Sequence, residues 1–201
     1  FNPNERNIST FNNYFLEGTI ECGSVFKPFI YADSIEEGKY DHSAYYNSGS
    51  YNVYYGNKLV ATIKDHNGGQ GWGTITYDQG LYHSSNVAIC NLLDQGYVTK
   101  DVLTEKLNDL GFFQGDTMDG LTCSSSINAY TRKNAGRLEY LTTGFGQGST
   151  VTPYQLLKAY SVFGNDGKTV QPHIVDKVVN PETNKVVYQA TPKYSKQIFS
   201  T

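Results

Sequence analysis

Apolar positions recur at helical spacing in several parts of the chain, most clearly between residues 101 and 110. One face of that stretch is apolar and is formed by Val102, Leu103, Leu107 and Leu110. This spacing predicts an amphipathic helix. Thr99 is suited to cap its N-terminus, and Gly111 is suited to end it.

Two further helices are predicted from the same kind of pattern. In "HSSNVAICNLLDQG", a Ser-Ser-Asn turn is followed by the apolar residues Val87, Ile89, Leu92 and Leu93, which predicts a mostly buried helix. Thr152 and Pro153 form a cap followed by proline at the first helical position. That helix carries Leu156, Leu157, Tyr160 and Phe163, and it ends at "GNDG".

The stretch "ECGSVFKPFI" is a fourth helical candidate. Its apolar residues suit a helix from Gly23 to Ile30, with Ser24 and Lys27 in the first turn. Pro28 is compatible with this helix only if the helix begins near Cys22 to Ser24, because proline is tolerated in the first turn. Residues 34–72 are rich in Gly, Asn, Asp and Tyr, and they predict a long excursion with short strands.

Strands are predicted near the end of the chain. The segments "HIVDKVV" and "NKVVYQ" flank "NPET", an arrangement that is typical of a β-hairpin. Since helices occupy the middle of the chain and strands its end, the pattern favours an α+β or α/β protein.

Composition narrows the possible partners. The formal net charge of the 201 residues is −3, and acidic and basic residues are interspersed. This balance gives no electrostatic reason to expect nucleic acid or an anionic membrane surface as a partner. The 3 cysteines argue against a disulfide framework. No apolar run reaches the ~18 residues that a membrane-spanning helix needs.

Ser24 and Lys27 form the first candidate for chemistry. A serine hydroxyl is a poor nucleophile without a base within hydrogen-bond reach. Residues three apart share a helical face, so Lys27 can point at the hydroxyl of Ser24. The helix N-terminus and burial under Phe26 and Phe29 both disfavour the charged form of the lysine, as a general base requires. The N-terminus also directs the backbone N–H of Ser24 at a developing oxyanion.

A second cluster supports this hypothesis, because Ser-x-x-Lys by itself occurs by chance in many proteins. Ser84, Ser85 and Asn86 open the helix of residues 87–93. A second hydroxyl bonded to the lysine can pass a proton to a leaving group. The amide of Asn86 can hold both the lysine and a substrate carbonyl.

Three blocks of the sequence, in this order and spacing, resemble the transpeptidase domain of class B penicillin-binding proteins. They are "FNPNERN…ECGSVFKPF", "ITYDQGLYHSSNVAIC" and "GFGQGSTVTPYQLLKAYSVFGNDGKTVQPHIV", and the same motif set characterises this enzyme group. The similarity runs from residue 1 to about residue 190. The resemblance implies the α+β penicillin-binding protein/serine β-lactamase-like fold, in which helices pack on an antiparallel sheet.

The resemblance also implies roles for individual residues. Ser24 would be the acylated serine, Lys27 its general base, Ser84 a proton relay and Asn86 a substrate-binding amide. The family releases a terminal D-Ala from peptidoglycan stem peptides and passes the acyl group to an amine of a neighbouring peptide, and β-lactam antibiotics acylate the same serine. No cofactor is required. Implied partners are other membrane proteins of cell-wall synthesis, at the extracytoplasmic face of a bacterial cell membrane.

The chain departs from the family's pattern in its third motif. The Lys-Thr/Ser-Gly strand should follow the hairpin, but the sequence ends at Thr201 before reaching it, and the "GKT" at Gly167 to Thr169 has the wrong order. The family's preceding N-terminal strand is missing too. We therefore expect residues 1–201 to be a partial transpeptidase domain and, taken alone, an incomplete catalyst.

The second departure is Cys22, which stands where the family has proline. Cys22 is interpreted either as a small buried residue or as a zinc ligand. In the second hypothesis Cys22, Asp65 and His66 bind a structural zinc ion, with Cys123 or, less favourably, Cys90 as the fourth ligand.

Two alternative functions share part of this sequence pattern. A serine β-lactamase or β-lactam sensor would share Ser24 and Lys27, but no carboxylate is assigned to activate water. A non-catalytic scaffold of the same fold is the other alternative. His83 is interpreted as a packed turn residue rather than a base, and Trp72 either covers the groove or anchors a loop. Gly144, Gly146 and Gly148 are interpreted as turn residues.

Overall fold

The structure, a computed structural model, describes residues 12–200, so the beginning of the first resemblance block lies outside the described residues. Helices and short strands alternate along this part of the chain. The helices are α1 (Tyr14–Glu17), α2 (Lys27–Glu36), α3 (Tyr77–Tyr82), α4 (Asn86–Asp94), α5 (Lys100–Asp109), α6 (Arg137–Gly144) and α7 (Pro153–Tyr160). Short 3₁₀ segments lie at Gly23–Phe26, Ala129–Thr131 and Ser161–Gly164.

All strand pairs within residues 12–200 are antiparallel and two-stranded. The strands are β1 (Tyr45–Asn47), β2 (Ser50–Tyr55), β3 (Lys58–Lys64), β4 (Thr74–Thr76), β5 (Asp116–Met118), β6 (Leu121–Cys123), β7 (Lys177–Val179) and β8 (Val186–Gln189). They pair as β1 with β4, β2 with β3, β5 with β6, and β7 with β8. Helices with antiparallel strands make this an α+β protein, as the resemblance implied.

The chain forms two compact units. The first contains the described residues of Phe1–Ile20, Leu107–Ser126 and Val151–Thr201, and the second contains Glu21–Lys106 and Ile127–Thr150. In the first unit α1 packs against α7 and β6, and Leu16, Met118, Cys123 and Tyr154 form a buried cluster. Tyr154 also donates a 2.9 Å hydrogen bond to the carboxylate of Asp116.

The second unit contains every residue to which the sequence assigned chemistry, apart from Cys123. The helix α4 lies in its core, where it packs against α2, α6 and the β2–β3 hairpin. The side chains that fill this core are almost completely buried and include Phe26, Phe29, Ile30, Ile89 and Leu92. The helix α4 carries apolar residues on most of its surface, which is why the sequence pattern identified it.

Several predicted elements are confirmed. The predicted helices of residues 87–93 and 101–110 correspond to α4 and α5, and Val102 N donates to Thr99 Oγ1 at 3.4 Å. Thr152 caps α7 with Pro153 at its start, and the predicted C-terminal hairpin is β7–β8. Within residues 12–200, no helix is long and apolar enough to cross a lipid bilayer.

Other details differ from the predictions. The segment of Ser24 begins as a 3₁₀ turn, and α2 continues to Glu36 instead of ending at Ile30. Leu157 and Phe163 are about half exposed, whereas Tyr154 and Ala159 are residues of α7 that are fully buried. Residues 34–72 contain the six-residue β2 and the seven-residue β3, a longer hairpin than the expected short strands.

Candidate active site

Ser24 and Lys27 lie at the two ends of one 3₁₀ turn. Gly23 has a φ of +64°, which lets the chain reverse into the turn Gly23–Phe26. The backbone N–H of Lys27 donates to the carbonyl of Ser24, which closes the turn. A 3₁₀ helix has 3.0 residues per turn, so side chains three apart eclipse each other. The 3₁₀ turn therefore places Ser24 and Lys27 on the same side more closely than the predicted α-helix would.

Lys27 is buried within the second unit, with only 1% of its surface exposed. Its amine donates to the hydroxyl of Ser84 at 3.1 Å and to the backbone carbonyl of Ser84. Burial lowers the pKa of Lys27 from 10.5 to about 8, and electrostatic interactions with Asp65 and Cys90 oppose this effect. The lowered pKa increases the fraction of neutral amine near neutral pH, as a general base needs.

Ser84 occupies a corner between α3 and α4. It is one of the few non-glycine residues of the described chain with a positive φ, at +51°. Its backbone N–H donates to the carbonyl of Leu81 at 2.9 Å. Because this left-handed conformation turns the chain sharply, both the carbonyl and the hydroxyl of Ser84 meet the amine of Lys27.

Asp65 fixes the start of α4 from the β2–β3 hairpin. Its Oδ1 accepts hydrogen bonds from Ser85 Oγ at 2.8 Å and from Val87 N at 3.1 Å, and its Oδ2 accepts from Gly49 N at 2.8 Å. Ser85 in turn caps α4 by accepting from Ala88 N at 3.0 Å. Asp65 thus holds the helix start that carries the Ser-Ser-Asn motif.

Asn86 lies at the first position of α4, but its contact differs from the expected one. Its amide nitrogen donates to the backbone carbonyl of Lys64 at 2.9 Å. The expectation that this amide also holds Lys27 is not met among the hydrogen bonds of the described residues. Nor do those bonds include one between Lys27 and the hydroxyl of Ser24.

One cavity of about 450 Å³ unites these residues, and all of its lining belongs to the second unit. It is lined by Gly23, Ser24, His66, Ser84, Asn86, Phe145 and Gln147. The three sequence-predicted residues Ser24, Ser84 and Asn86 therefore share one space. Lys27 does not line the cavity, but its amine binds Ser84, which does.

Phe145 and Gln147 were not singled out by the sequence reasoning. They flank Gly146, which has a φ of +74° and accepts a 2.9 Å hydrogen bond at its carbonyl from Gly23 N. A Cβ at position 146 would come within 2.2 Å of the Gly23 carbonyl oxygen. The alternating glycines of "GFGQG" were the available signal, since they allow this close approach of two backbones. The predicted turn role agrees with the positive φ of Gly146 and Gly148, whereas Gly144 is the last residue of α6 and packs against Ile89 and Leu93.

The predicted zinc ligands do not come together. Residues 12–200 contain no group of three or more His, Cys, Asp or Glu side chains that could hold a metal ion. The carboxylate of Asp65 is committed to the bonds described above, whereas His66 is exposed at the cavity rim. Burial raises the pKa of Cys22 to about 11, so its thiol is neutral. The zinc site of Cys22, Asp65 and His66 stays a prediction without geometric support, which metal analysis of the purified protein would test.

The two candidates for the fourth zinc ligand are core residues. Cys90 is fully buried within α4, and Cys123 is buried in the β5–β6 hairpin. Both are free thiols, as is Cys22. Burial raises the pKa of Cys90 and of Cys123 above the ordinary value, which is the behaviour of small core residues.

His83 and Trp72 stack on each other beside the site. Their ring centroids are 4.3 Å apart and their planes differ by 10°. This agrees with the interpretation of His83 as a packed turn residue. Trp72 also lies 5.4 Å from the ring of His66, which lines the cavity.

Comparisons with known proteins show the family to which this chain is related. The family described as "Penicillin binding protein transpeptidase domain" matches residues 1–201. Stage V sporulation protein D of Bacillus subtilis (strain 168) is 30% identical over 184 residues, which cover 90% of this chain and 27% of that protein. The probable peptidoglycan D,D-transpeptidase PenA of Neisseria flavescens is 25% identical over 98% of this chain and 46% of its own length.

Solved structures show the same fold. Penicillin-binding protein A of Mycobacterium tuberculosis, solved as an imipenem acyl-enzyme complex, has a TM-score of 0.80 at 16% identity, covering 94% of this chain and 42% of its own. Penicillin-binding protein 2X of Streptococcus thermophilus has a TM-score of 0.77 at 25% identity, over 94% of this chain and 26% of its own.

The α+β fold is that of solved penicillin-binding proteins, and Ser24 and Ser84 share one cavity in it. The family match extends over the whole sequence, and the chain belongs to the penicillin-binding protein transpeptidase family. This confirms the resemblance inferred from the motifs. The chain spans less than half the length of the curated relatives described above.

Proposed function

We propose that this protein is a peptidoglycan D,D-transpeptidase that works through an acyl-enzyme on Ser24. The observation that carries the proposal is the buried amine of Lys27, bonded to Ser84 at the cavity that Ser24 lines. Family membership supports the same activity. A stem peptide that ends in two D-Ala residues is the proposed donor substrate.

In the first half-reaction Ser24 becomes acylated. Neutral Lys27 accepts the proton of the Ser24 hydroxyl as the oxygen attacks the carbonyl carbon of the penultimate D-Ala. The bond between that carbon and the nitrogen of the terminal D-Ala then breaks. Lys27 returns the proton to the leaving nitrogen through the hydroxyl of Ser84, so that D-Ala departs as an amine and an ester remains on Ser24.

In the second half-reaction an amine of a neighbouring peptide attacks the ester. Its nitrogen forms a new amide bond, the bond to the Ser24 oxygen breaks, and one amine proton returns to that oxygen through the same groups. We expect the hydrogen bond between Lys27 and Ser24 to form when substrate enters, because catalytic bonds are often long in unliganded structures.

The start of the 3₁₀ turn supplies a site for the developing negative charge. The first backbone N–H groups of a helical turn have no partner within it, so the N–H of Ser24 is suited to donate to the oxyanion. Asn86 lines the same cavity and is assigned to binding the peptide backbone of the substrate. The chemistry as proposed needs no metal or organic cofactor.

The proposed setting follows from the proposed substrate. Peptidoglycan lies outside the cytoplasmic membrane, so the site would act at its extracytoplasmic face. Other membrane proteins of cell-wall synthesis are the proposed partners, and β-lactam antibiotics are proposed to acylate Ser24.

Labelling with a fluorescent penicillin tests the proposal. We expect the full-length protein to form a stable adduct that mass spectrometry places on the peptide containing Ser24. Ser24→Ala should abolish labelling, whereas Ser125→Ala, at an exposed serine outside the cavity, should not change it. An unlabelled folded protein, or an adduct elsewhere, contradicts the proposal, and fast turnover of the β-lactam indicates a hydrolase instead.

Transfer itself needs a second assay. The protein is mixed with a peptide ending in D-Ala-D-Ala and with an amine acceptor, and we expect release of D-Ala together with the cross-linked product. Release of D-Ala with only the hydrolysed peptide as product would assign a carboxypeptidase instead of a transpeptidase.

A further inference from the structure

Three aromatic rings contact one another beside the candidate site, and two of them are stacked. Trp72 lies between His83, at 4.3 Å and 10° between planes, and His66, at 5.4 Å and 50°. His66 lines the cavity, and His83 directly precedes Ser84 in the chain. None of these rings has a role in the acyl-transfer steps described above.

The loop that carries Trp72 is fixed to the β-hairpin region. Asn67 and Gly71 exchange two hydrogen bonds, from Asn67 Nδ2 to Gly71 O at 2.9 Å and from Gly71 N to Asn67 Oδ1 at 3.1 Å. The backbone N–H of Trp72 donates to Ser48 Oγ at 2.6 Å, and Ser48 donates onward to Gly73 O at 2.8 Å. The backbone that carries Trp72 is therefore fixed by hydrogen bonds before and after this residue, at Gly71 and at Gly73.

His83, by contrast, ends a short helix. It is the C-terminal cap of α3, and the next residue, Ser84, has the left-handed φ of +51°. A left-handed conformation is unfavourable for a residue with a side chain, so the surrounding contacts must hold it. The stack of His83 on Trp72 joins this corner to the fixed loop, beside the hydrogen bond of Ser85 to Asp65 on the other side of Ser84.

We propose that Trp72 is a positioning residue of the acyl-transfer site, and that its stack on His83 holds the Ser84 corner against the amine of Lys27. The proposal rests on the proposed function for its effect on the reaction. Its structural part, the hold on Ser84, stands on the ring geometry and the backbone conformation alone. Trp72 acts through His83 and Ser84 and does not itself touch the reacting atoms.

The first test compares two substitutions of Trp72. Trp72→Ala removes the stack, and we expect the rate constant of penicillin acylation to fall about tenfold, the size expected from losing one aromatic pair. The non-covalent binding of the penicillin should change much less, because Trp72 does not line the cavity. Trp72→Phe keeps a stacking ring and should restore most of the rate, which a merely space-filling role at this position does not require.

A double mutant asks whether the effect passes through Ser84. Ser84→Gly removes the hydroxyl and accepts the left-handed backbone without strain. In that background Trp72→Ala should change the acylation rate by no more than about twofold, the usual scatter of independent effects. Tyr82→Ala is the matched control, since Tyr82 is 89% exposed in the same helix end, and it should leave the rate unchanged.

A measurement without substrate separates this proposal from the proposed function. The titration of Lys27 is followed by NMR of lysine labelled at Cε, in the wild type and in Trp72→Ala. Loss of the hold on Ser84 admits water to the amine, so its pKa should rise from about 8 towards 10.5, while the facing groups Asp65 and Cys90 stay in place. If the wild type is never acylated but this shift is seen, the proposed function fails and the positioning role stands.

Two results overturn the positioning role. One is a Trp72→Ala protein with the wild-type titration of Lys27. The other is a Trp72→Ala protein whose acylation rate falls equally with and without the Ser84 hydroxyl.

Discussion

Lys27 should lower the stability of the fold, because its amine is buried. Its pKa falls from 10.5 to about 8, and one pKa unit corresponds to ~1.4 kcal/mol. At pH 7, below both values, burial of the amine therefore lowers the free energy of unfolding by ~3 kcal/mol. Lys27→Met keeps the length of the side chain and removes the charge.

The substitution also removes two hydrogen bonds. In the methionine variant, the carbonyl and the hydroxyl of Ser84 no longer accept hydrogen bonds from an amine, and this loss costs ~1 kcal/mol. The net expectation at pH 7 is a variant that is more stable than the wild type by ~2 kcal/mol. The same variant should be inactive in penicillin labelling, because the proposed general base is gone.

The pH dependence gives the sign of the effect. The folded protein releases the proton of Lys27 near pH 8, whereas the unfolded chain keeps it until about 10.5. Between these values the unfolded state binds more protons, so wild-type stability gains with rising pH relative to the variant. By pH 9.5 about 2 kcal/mol of the difference should be lost, which leaves the two proteins nearly equal.

Urea denaturation at pH 7 and pH 9.5 measures this difference. Lys158→Met is the control of opposite sign, since Lys158 is partly exposed and binds Asp116 at 2.6 Å, and its loss should destabilise by about 1 kcal/mol. A Lys27→Met protein that is less stable than the wild type at pH 7 refutes the reasoning. So does a stability difference that stays constant between the two pH values.

Three further substitutions test the geometry of the second unit. Asp65→Asn should lower stability by about 2–3 kcal/mol in urea denaturation, because one amide cannot accept all three hydrogen bonds; an unchanged midpoint contradicts the role of Asp65. Gly146→Ala places a Cβ 2.2 Å from the Gly23 carbonyl oxygen, so it should lower the free energy of unfolding by about 2–4 kcal/mol and slow acylation. Gly56→Ala is the control, since Gly56 has a φ of +57° and open space around it, and it should cost about 1 kcal/mol. Equal losses of stability in the two variants would argue against the close approach of Gly146 to Gly23. Asp33 is fully buried without a hydrogen-bond partner for either oxygen among the described residues, and burial raises its pKa from 3.8 to about 8. Between these pH values the folded state binds more protons than the unfolded state, so the wild type should lose stability as pH rises. Relative to Asp33→Asn, the loss in the same denaturation assay should be about 3 kcal/mol from pH 5 to pH 8. If the stability of the two proteins depends on pH in the same way, the carboxyl is solvated.

Local sequence determined the parts of this protein that depend on neighbours along the chain. The spacing of apolar residues placed α4 and α5, and the Thr152–Pro153 cap placed the start of α7. Ser24 and Lys27 share a turn because they are three residues apart, which holds for the 3₁₀ turn of the structure as it does for an α-helix. These features follow from short-range hydrogen bonds and periodicity, which a sequence displays directly.

Tertiary structure decided which of these residues meet, and in what chemical state. The lowered pKa of Lys27 is caused by its burial, and its amine contacts Ser84, 57 residues away in the chain. Asp65 and His66, adjacent in sequence and both proposed as zinc ligands, have different environments, since Asp65 holds α4 and His66 lines the cavity. Contacts between distant segments depend on how whole elements pack, and no local pattern in the sequence specifies that packing.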